Sequence, residues 1–173
     1  ARSAIGRITL IDLDMVAGPS EIAVLADESA VPAHVAADLI SQLEHGTGHE
    51  KALLVTPYMA MATKVLAEME RQIATLSRRE AIERAAAAGA MFVVTDHLDT
   101  GMDLVNQFAP EHFEIMTKEP RRWLSKVKNA GAVFVGAWTP ESAGDFVAGP
   151  SHVLPTGGTA AFFSGLTVDS FRK

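Results

Sequence analysis

Two short patterns place an imidazole beside another polar side chain that could take part in chemistry. Gln42 precedes His45 by three residues, and side chains at that spacing share one face of a helix. Their oxygen and nitrogen atoms could bind one metal ion, although an exposed polar helix end has the same pattern. Glu111 and His112 are adjacent, and an imidazole that titrates near neutral pH can transfer protons. Neighbours on an extended strand point to opposite sides, so a solvated charged turn is the alternative.

A third group of polar side chains lies in a segment rich in glycine and proline. Glu141, Asp145 and His152 fall within residues 140–158. Glycine permits close approach of the backbone to a ligand, and proline stiffens a loop. Asp145 could add a carboxylate to a histidine and an amide around a divalent cation, and the Ser20 hydroxyl could hydrogen-bond a small polar substrate. An ordinary surface loop is the alternative.

The remaining histidines and the absence of familiar motifs narrow the possibilities. His34, His49 and His97 have no strong local partner, and we interpret them as structural. No G-x-G-x-x-G loop follows a candidate strand, and neither a P-loop nor H-E-x-x-H occurs. These residues therefore do not predict a nucleotide site of the ordinary Rossmann kind.

Composition restricts the class of protein. The chain has 173 residues, of which 48% are hydrophobic, and its net charge is -6. This length and hydrophobic content are sufficient for one substantial core. Cysteine is absent, so any metal must use nitrogen and oxygen ligands. The 15 basic residues are scattered, which argues against a nucleic-acid or membrane surface. No apolar run approaches the roughly 20 residues that a bilayer requires, and we expect a cytoplasmic location.

Short apolar runs alternate with amphipathic segments, and this alternation predicts the fold. The predicted strands are residues 22–26, 52–56, 91–95, 113–116 and 132–135, and the predicted helices are residues 32–45, 58–76, 79–88, 99–108 and 120–128. Strands that are apolar on both faces and separated by helices indicate an α/β fold, with a mainly parallel sheet flanked by helices. It is Rossmann-like without the G-x-G-x-x-G loop. Ligands of such sheets are expected at the carboxyl ends of strands.

Capping signals and the C-terminal segment add two expectations. Ser29 and Pro32 predict the start of the first helix, and Gly46 follows its end where a left-handed residue is favoured. From Gly144 onward we expect a long segment with little regular structure. Loops of that length are uncommon in compact domains and are often functional.

Taken together, these patterns resemble the histidinol dehydrogenase family. The similarity runs from about Asp12 to the C-terminus, and five motifs occur in the family's order. The matching segments are residues 14–21, 41–46, 110–112, 141–145 and 152–158. Five ordered motifs are specific, whereas any one of them alone would be weak.

The resemblance implies an oxidoreductase that converts L-histidinol to L-histidine in two successive NAD-dependent steps of histidine biosynthesis. It implies Zn²⁺ and NAD as cofactors, with His112 taking the alcohol proton and Glu111 helping to activate the water that attacks the aldehyde. The implied zinc ligands are Gln42, His45 and Asp145. The implied substrate-binding residues are Ser20, Gln42, His45, His112, Glu141, Asp145 and His152.

Family members are longer than this chain, which limits what the resemblance implies. Residues 1–173 are expected to form the zinc and substrate side of the catalytic domain. The family's N-terminal cofactor region and its C-terminal segment, with a fourth zinc ligand, would lie outside them. We expect a fragment or a naturally short relative, inactive or weak alone, and a homodimer at full length. A related dehydrogenase of another small polar alcohol and a non-catalytic metal-binding remnant are the alternatives.

Overall fold

The centre of the molecule is a five-stranded sheet in which every strand is parallel to its neighbours. The computed structural model describes Met15 and residues 18–172; Asp14, Val16 and Ala17 of the first matching segment lie outside the described residues. The strands are β1 Glu21–Ala26, β2 Lys51–Thr56, β3 Ala90–Val94, β4 His112–Met116 and β5 Ala132–Val135, in the order β3-β2-β1-β4-β5. The predicted α/β fold is confirmed, and each strand boundary lies within one residue of its prediction.

Helices cover both faces of the sheet and enclose two apolar cores. The helices are α1 Pro32–Leu43, α2 Met59–Ile73, α3 Arg79–Gly89, α4 Leu98–Phe108 and α5 Glu141–Phe146. One core joins the sheet to α1, α2 and α3, and the other joins the opposite face to α4 and to Trp123. Both faces of the central strands are therefore dry, which is why their sequences are continuously apolar. Within the described residues, no helix is long and apolar enough to cross a membrane.

The pairing of β1, β4 and β5 sets which side chains share a face. Ile22 lies opposite His112, and Val24 lies opposite Glu114. Phe134 of β5 also lies opposite Glu114. Because alternate residues of a strand point to the same face, His112, Glu114 and Phe134 lie on the side of the sheet that carries Ile22 and Val24, which is the side that packs against α1.

The start of α1 agrees only in part with the capping signals. Pro32 is its first residue, and Gly46 has a φ of 78° just beyond its end, as expected. Ser29 does not cap the helix, however, because the N-cap residue is Val31 and makes no side-chain cap hydrogen bond. The Ser29 hydroxyl instead donates to Asp27 Oδ1, a local bond that serines and aspartates commonly form in turns.

Two segments differ from the predictions. Residues 120–128 do not form an α-helix; a 3-10 helix spans Pro120–Lys126, and Trp123 is the residue that it buries. A segment with a single apolar anchor lacks the stripe that stabilises an α-helix. The segment from Gly144 onward differs only at its start, where Gly144 belongs to α5; beyond Phe146 the regular structure of the described residues is limited to short 3-10 turns at Thr159–Ala161 and Val168–Phe171, as expected.

Candidate active site

The polar side chains singled out in the sequence meet at the amino edge of the sheet. His112 is the first residue of β4, and Glu21 is the first residue of β1. Helix α1 connects two parallel strands and must run back between them, so its last turn, with Gln42, returns to this same edge. The expectation of a site at the carboxyl ends of the strands was therefore wrong, because these polar side chains come from the starts of strands and from the end of a helix.

His112 is held in one tautomer at the centre of this edge. Its side chain is buried, and Nδ1 lies 2.8 Å from Gln42 Oε1 and 3.3 Å from the carbonyl oxygen of Glu21. A carbonyl oxygen can only accept, so Nδ1 carries the proton and donates it. The lone pair of the neutral ring is therefore on Nε2. Within the described residues, Nε2 has no hydrogen-bond partner.

The surroundings of His112 favour that neutral, proton-accepting form. Burial lowers the pKa of His112 below its ordinary value, and this effect exceeds the opposing influence of the nearby Glu141 and Asp145 carboxylates. Nε2 lies 3.7 Å from Glu141 Oε1 and 4.0 Å from Asp145 Oδ1. An imidazole that is neutral near pH 7, with its free nitrogen directed into a polar site, has the properties of a general base.

Glu111 reaches the same site because it precedes β4 and does not belong to the extended strand. Its Oε2 accepts a hydrogen bond of 3.1 Å from the backbone N–H of Glu21 and lies 3.8 Å from His112 Nδ1. The Ser20 hydroxyl lowers the pKa of this carboxyl group, but its influence is outweighed. Burial is the largest influence on the pKa of Glu111 and raises it to about 7. The adjacent acid and base are thus brought together, and the solvated-turn alternative does not apply.

Nitrogen and oxygen donors suitable for a cation converge beside His112. His112, Glu141 and Asp145 each offer an atom, and these atoms lie within 4.8 Å of one another. Gln42 Nε2 donates to His45 Nδ1 across 3.2 Å, so the amide links that histidine to the group. His112 Nε2 and Glu141 Oε1 are buried atoms without a hydrogen-bond partner among the described residues. A buried polar atom without a partner is costly, so these two atoms favour a polar ligand beside them, and the nitrogen and oxygen atoms at this edge are of the kinds that a cation of the zinc class binds.

An adjacent cavity connects the site to His152. The cavity has a volume of about 640 Å³, and its lining includes His112, Phe134, Trp138, Asp145 and His152. Cavities of this size accommodate small organic ligands. His152 is exposed and lies on the wall of the cavity. The structure therefore places it beside the buried group formed by His112, Glu141 and Asp145, rather than within that group.

The histidines interpreted as structural lie outside the buried group. The ring of His34 makes an edge contact with Trp138, with 6.3 Å between ring centroids. His49 and His97 are exposed, and His97 occupies the position just before α4.

The sequence patterns did not indicate several of the side chains at the site. The carboxylate of Glu21 accepts a hydrogen bond of 3.0 Å from the backbone N–H of Gly157, and this bond joins the C-terminal segment to β1. Asp38 and Glu114 are buried behind His112. A usable signal was present, because Asp38 is four residues before Gln42 on a helix and Glu114 is two residues after His112 on a strand. Each spacing places the two side chains on one face.

Comparison with known proteins agrees with this geometry. The family model described as "Histidinol dehydrogenase" matches residues 1–173. The chain belongs to the histidinol dehydrogenase family. Similar proteins named histidinol dehydrogenase include those of Heliobacterium mobile, 51% identical, and Moorella thermoacetica, 52% identical, each over 94% of this chain. A histidinol dehydrogenase crystal structure from Elizabethkingia anophelis matches 96% of this chain with a TM-score of 0.91 and 36% identity.

The histidinol dehydrogenase relatives are considerably longer than this chain. The chain spans 38% of the length of the Heliobacterium and Moorella proteins and 38% of the Elizabethkingia chain. Family membership makes the chain part of an oxidoreductase family. The roles of individual residues, and the activity and partners of the whole protein, are therefore proposals.

The raised pKa of Glu111 predicts a pH-dependent difference in stability between the wild type and Glu111→Gln. Between pH 4.5 and about 7, the folded metal-free protein keeps a proton that the unfolded chain has released. Raising the pH through this window therefore destabilises the wild type but not the glutamine variant. At about 1.4 kcal/mol per pKa unit, the variant should gain about 3 kcal/mol in unfolding free energy relative to wild type between pH 4 and pH 8. Denaturant unfolding at both pH values measures it, and a pH-independent difference would contradict the assignment.

Proposed function

We propose that this chain supplies the zinc-binding and acid–base part of a histidinol dehydrogenase. The full-length protein would oxidise L-histidinol to L-histidine in two steps, each reducing one NAD. The observation that carries the proposal is the free Nε2 of His112, which faces the carboxylates of Glu141 and Asp145 in a buried site. Family membership and the relatives' shared name support L-histidinol as the substrate.

In this proposal His112 is the base for the alcohol. Its Nδ1–H is held by Gln42 and the Glu21 carbonyl, so Nε2 is available to accept the hydroxyl proton as hydride leaves the carbinol carbon for NAD. The bonds to Nδ1 also become stronger when the ring gains a positive charge, which stabilises the imidazolium form. A positioned base of this kind typically contributes about 10² to 10⁴-fold to the rate.

Glu111 is proposed to act in the second oxidation. An aldehyde must first add water before it can lose a second hydride, and a carboxylate can accept the proton of that water. A pKa of about 7 leaves the Glu111 carboxyl substantially ionised near neutrality while keeping it basic enough to accept a proton. The hydrogen bond from the Glu21 amide orients the group.

Gln42, His45 and Asp145 are the residues proposed to hold zinc. Gln42 contacts both His112 and His45, and a carboxamide oxygen has two lone pairs, so it can accept from His112 and still bind a cation. This choice leaves His112 Nε2 free for its role as a base. When bound, zinc would fix the nitrogen atoms of the substrate and so orient its carbinol carbon. Ser20, Glu141 and His152 are proposed to contact the substrate.

The remaining proposals concern parts of the protein beyond this site. We propose that most NAD contacts come from a region of the full-length protein outside these residues, and that the protein is a homodimer. The isolated chain is expected to be weakly active or inactive. A cytoplasmic location, with no nucleic-acid or membrane partner, stays a prediction.

The assignment is tested with the full-length protein that contains this chain. Zinc-loaded protein with NAD and L-histidinol should produce two NADH per histidinol consumed, and a sample depleted of metal by a chelator should lose activity and regain it with zinc. Oxidation of other small alcohols but not histidinol would overturn the substrate assignment. Zinc binding without turnover of any alcohol would favour the non-catalytic alternative.

A further inference from the structure

The aromatic ring of Phe134 lies between His112 and helix α5, and the proposed chemistry does not use it. Phe134 belongs to β5 and is half-buried beside the cavity. On one side its ring contacts the imidazole of His112, with 5.9 Å between the centroids and 54° between the ring planes. On the other side it contacts Gly144, the residue of α5 that precedes Asp145. The ring thus separates the strand that carries His112 from the helix that carries Asp145.

The contact between Phe134 and Gly144 leaves no room for another carbon atom. A Cβ atom at Gly144 would lie 2.6 Å from Cζ and 2.8 Å from Cε1 of the Phe134 ring. Carbon atoms that are not bonded to each other prefer a separation of about 3.5 to 4.0 Å. Any side chain at residue 144 would therefore displace either the ring or the helix. The ring at one position and the missing side chain at the other together fix how closely α5 approaches β5.

The backbone hydrogen bonds of the sheet hold Phe134 in place. The N–H groups of Ala132 and Gly136, two residues to either side, donate to the carbonyl oxygens of Glu111 and Ile115 at 2.8 and 3.0 Å. These bonds fix the backbone from which the ring projects. A phenylalanine side chain has only two torsion angles and a rigid, flat body. The ring is therefore a spacer of fixed size on a fixed support.

Helix α5 has few other contacts that could set its position. It has six residues, of which Glu141 alone is buried. Ser41 Oγ donates a hydrogen bond of 2.8 Å to Glu141 Oε2, which ties the first residue of α5 to α1. Asp145 lies one turn later, and its carboxylate is 4.0 Å from His112 Nε2, too far for a hydrogen bond. The later part of α5 is consequently held by the contact of Gly144 with the ring.

We propose that Phe134 and Gly144 form a spacer that sets the separation between Asp145 and His112. Both are positioning residues, because Phe134 acts through the His112 ring and Gly144 acts through the Asp145 that follows it. The consequence for zinc binding rests on the proposed function, whereas the spacing itself does not. Zinc would need Asp145 of α5 together with Gln42 of α1, and groups behind the ligands of a metal site commonly control its affinity.

Three variants of the full-length protein test the spacer. Gly144→Ala adds the Cβ atom that would meet the ring. Phe134→Leu removes Cζ and both Cε atoms, the ring atoms within 4 Å of that Cβ, and the double variant combines the two changes. The matched control is Gly101→Ala. Gly101 is a buried glycine of α4, and a Cβ there would lie 2.9 Å from Leu25 Cδ1 and from Val55 Cγ1, in the core on the opposite face.

The cost of the added methyl group should depend on the ring. Zinc dissociation constants are measured by competition with a chromophoric chelator, beside the melting temperature of each metal-free variant. With Phe134 present, Gly144→Ala should weaken zinc binding by about tenfold or more. In the Phe134→Leu background the same change should cost less than about threefold, because leucine lacks the atoms that the methyl group meets.

The control separates positioning from general overpacking. Gly101→Ala should lower the melting temperature, because extra atoms strain a packed core, yet it should leave zinc binding within about threefold of wild type. If Gly144→Ala weakens zinc binding equally in both backgrounds, or leaves it unchanged while Phe134 is present, the ring does not set the position of α5 and the proposal is overturned. A loss of zinc affinity in Gly101→Ala as large as that in Gly144→Ala would overturn it as well.

Crystal structures of the metal-free variants decide the inference even if the wild type binds no zinc, a result that would overturn only the zinc part of the proposed function. In Gly144→Ala, α5 should lie about 0.5 to 1 Å farther from β5, because the added carbon needs a separation of about 3.5 Å from the ring. In Phe134→Leu it should lie closer to β5, since the spacer is smaller. An α5 that keeps its wild-type position in each single variant that folds would overturn the proposal.

Discussion

Replacing His112 by asparagine is expected to lower kcat for L-histidinol oxidation by about 10² to 10⁴-fold in the full-length protein. The asparagine amide can occupy the place of Nδ1–H and donate to Gln42 Oε1, which the imidazole contacts at 2.8 Å. It has no counterpart of the Nε2 lone pair, so the base is lost while the buried hydrogen bond is retained. The measurement is steady-state kcat and KM, with the zinc dissociation constant determined on the same preparation.

A surface histidine supplies the control for this experiment. His97 is exposed and lies at the start of α4, outside the buried group, so His97→Asn should keep kcat within about twofold, as surface changes generally do. A loss smaller than tenfold in His112→Asn, with zinc binding unchanged, would show that another group accepts the alcohol proton. A loss that is accompanied by failure to bind zinc would instead make His112 a ligand.

The sheet was predictable because its sequence signal is local. The strands at residues 22–26 and 52–56 are short apolar runs separated by helical patterns, and a parallel sheet buried on both faces produces that alternation. Where the first residue of a strand is polar, the observed strand begins one residue earlier than the predicted one. Glu21 and His112 are examples, because each starts a strand while its side chain lies at the candidate site.

The location of the site was not predictable from local pattern. The hydrogen bond from His112 to the Glu21 carbonyl joins residues that are 91 positions apart, and no periodicity in the sequence encodes that contact. The expectation of a site at the carboxyl edge followed a general tendency of α/β sheets. The five motifs nevertheless contain residues that the structure brings together, among them Gln42, His112 and Asp145, because the motifs depend on residue identity and order rather than on geometry.

Helix α5 shows how a tertiary contact can override a local signal. Glycine weakens a helix by about 1 kcal/mol relative to alanine, so Gly144 suggested a loop. A Cβ atom at this position would lie 2.6 Å from the ring of Phe134, and glycine therefore allows the helix to pack on β5. Phe134 also packs against the His112 ring, with 5.9 Å between centroids. The residue that disfavours the helix thus permits the contact that places Asp145 in the site.

The second large effect is expected for Glu111→Gln, and it should fall on the second oxidation. Glutamine can still accept the hydrogen bond from the Glu21 amide, which Glu111 Oε2 accepts at 3.1 Å, but it cannot take a proton from water. Conversion of the aldehyde to L-histidine should therefore slow by about 10² to 10⁴-fold. Oxidation of the alcohol, for which His112 is the proposed base, should change much less. Histidinol should yield close to one NADH rather than two, with aldehyde released and captured by a hydrazine reagent.

The pH profile separates this explanation from a general loss of site structure. With the aldehyde supplied as substrate, the wild-type rate should rise as the pH increases from 6 to 8, because the Glu111 carboxyl loses its proton around its pKa of about 7. In Glu111→Gln that rise should disappear, while zinc affinity stays close to that of wild type. If both oxidations slow equally, or if the rise persists in the variant, the titrating base of the aldehyde step is another group and Glu111 has only an orienting role.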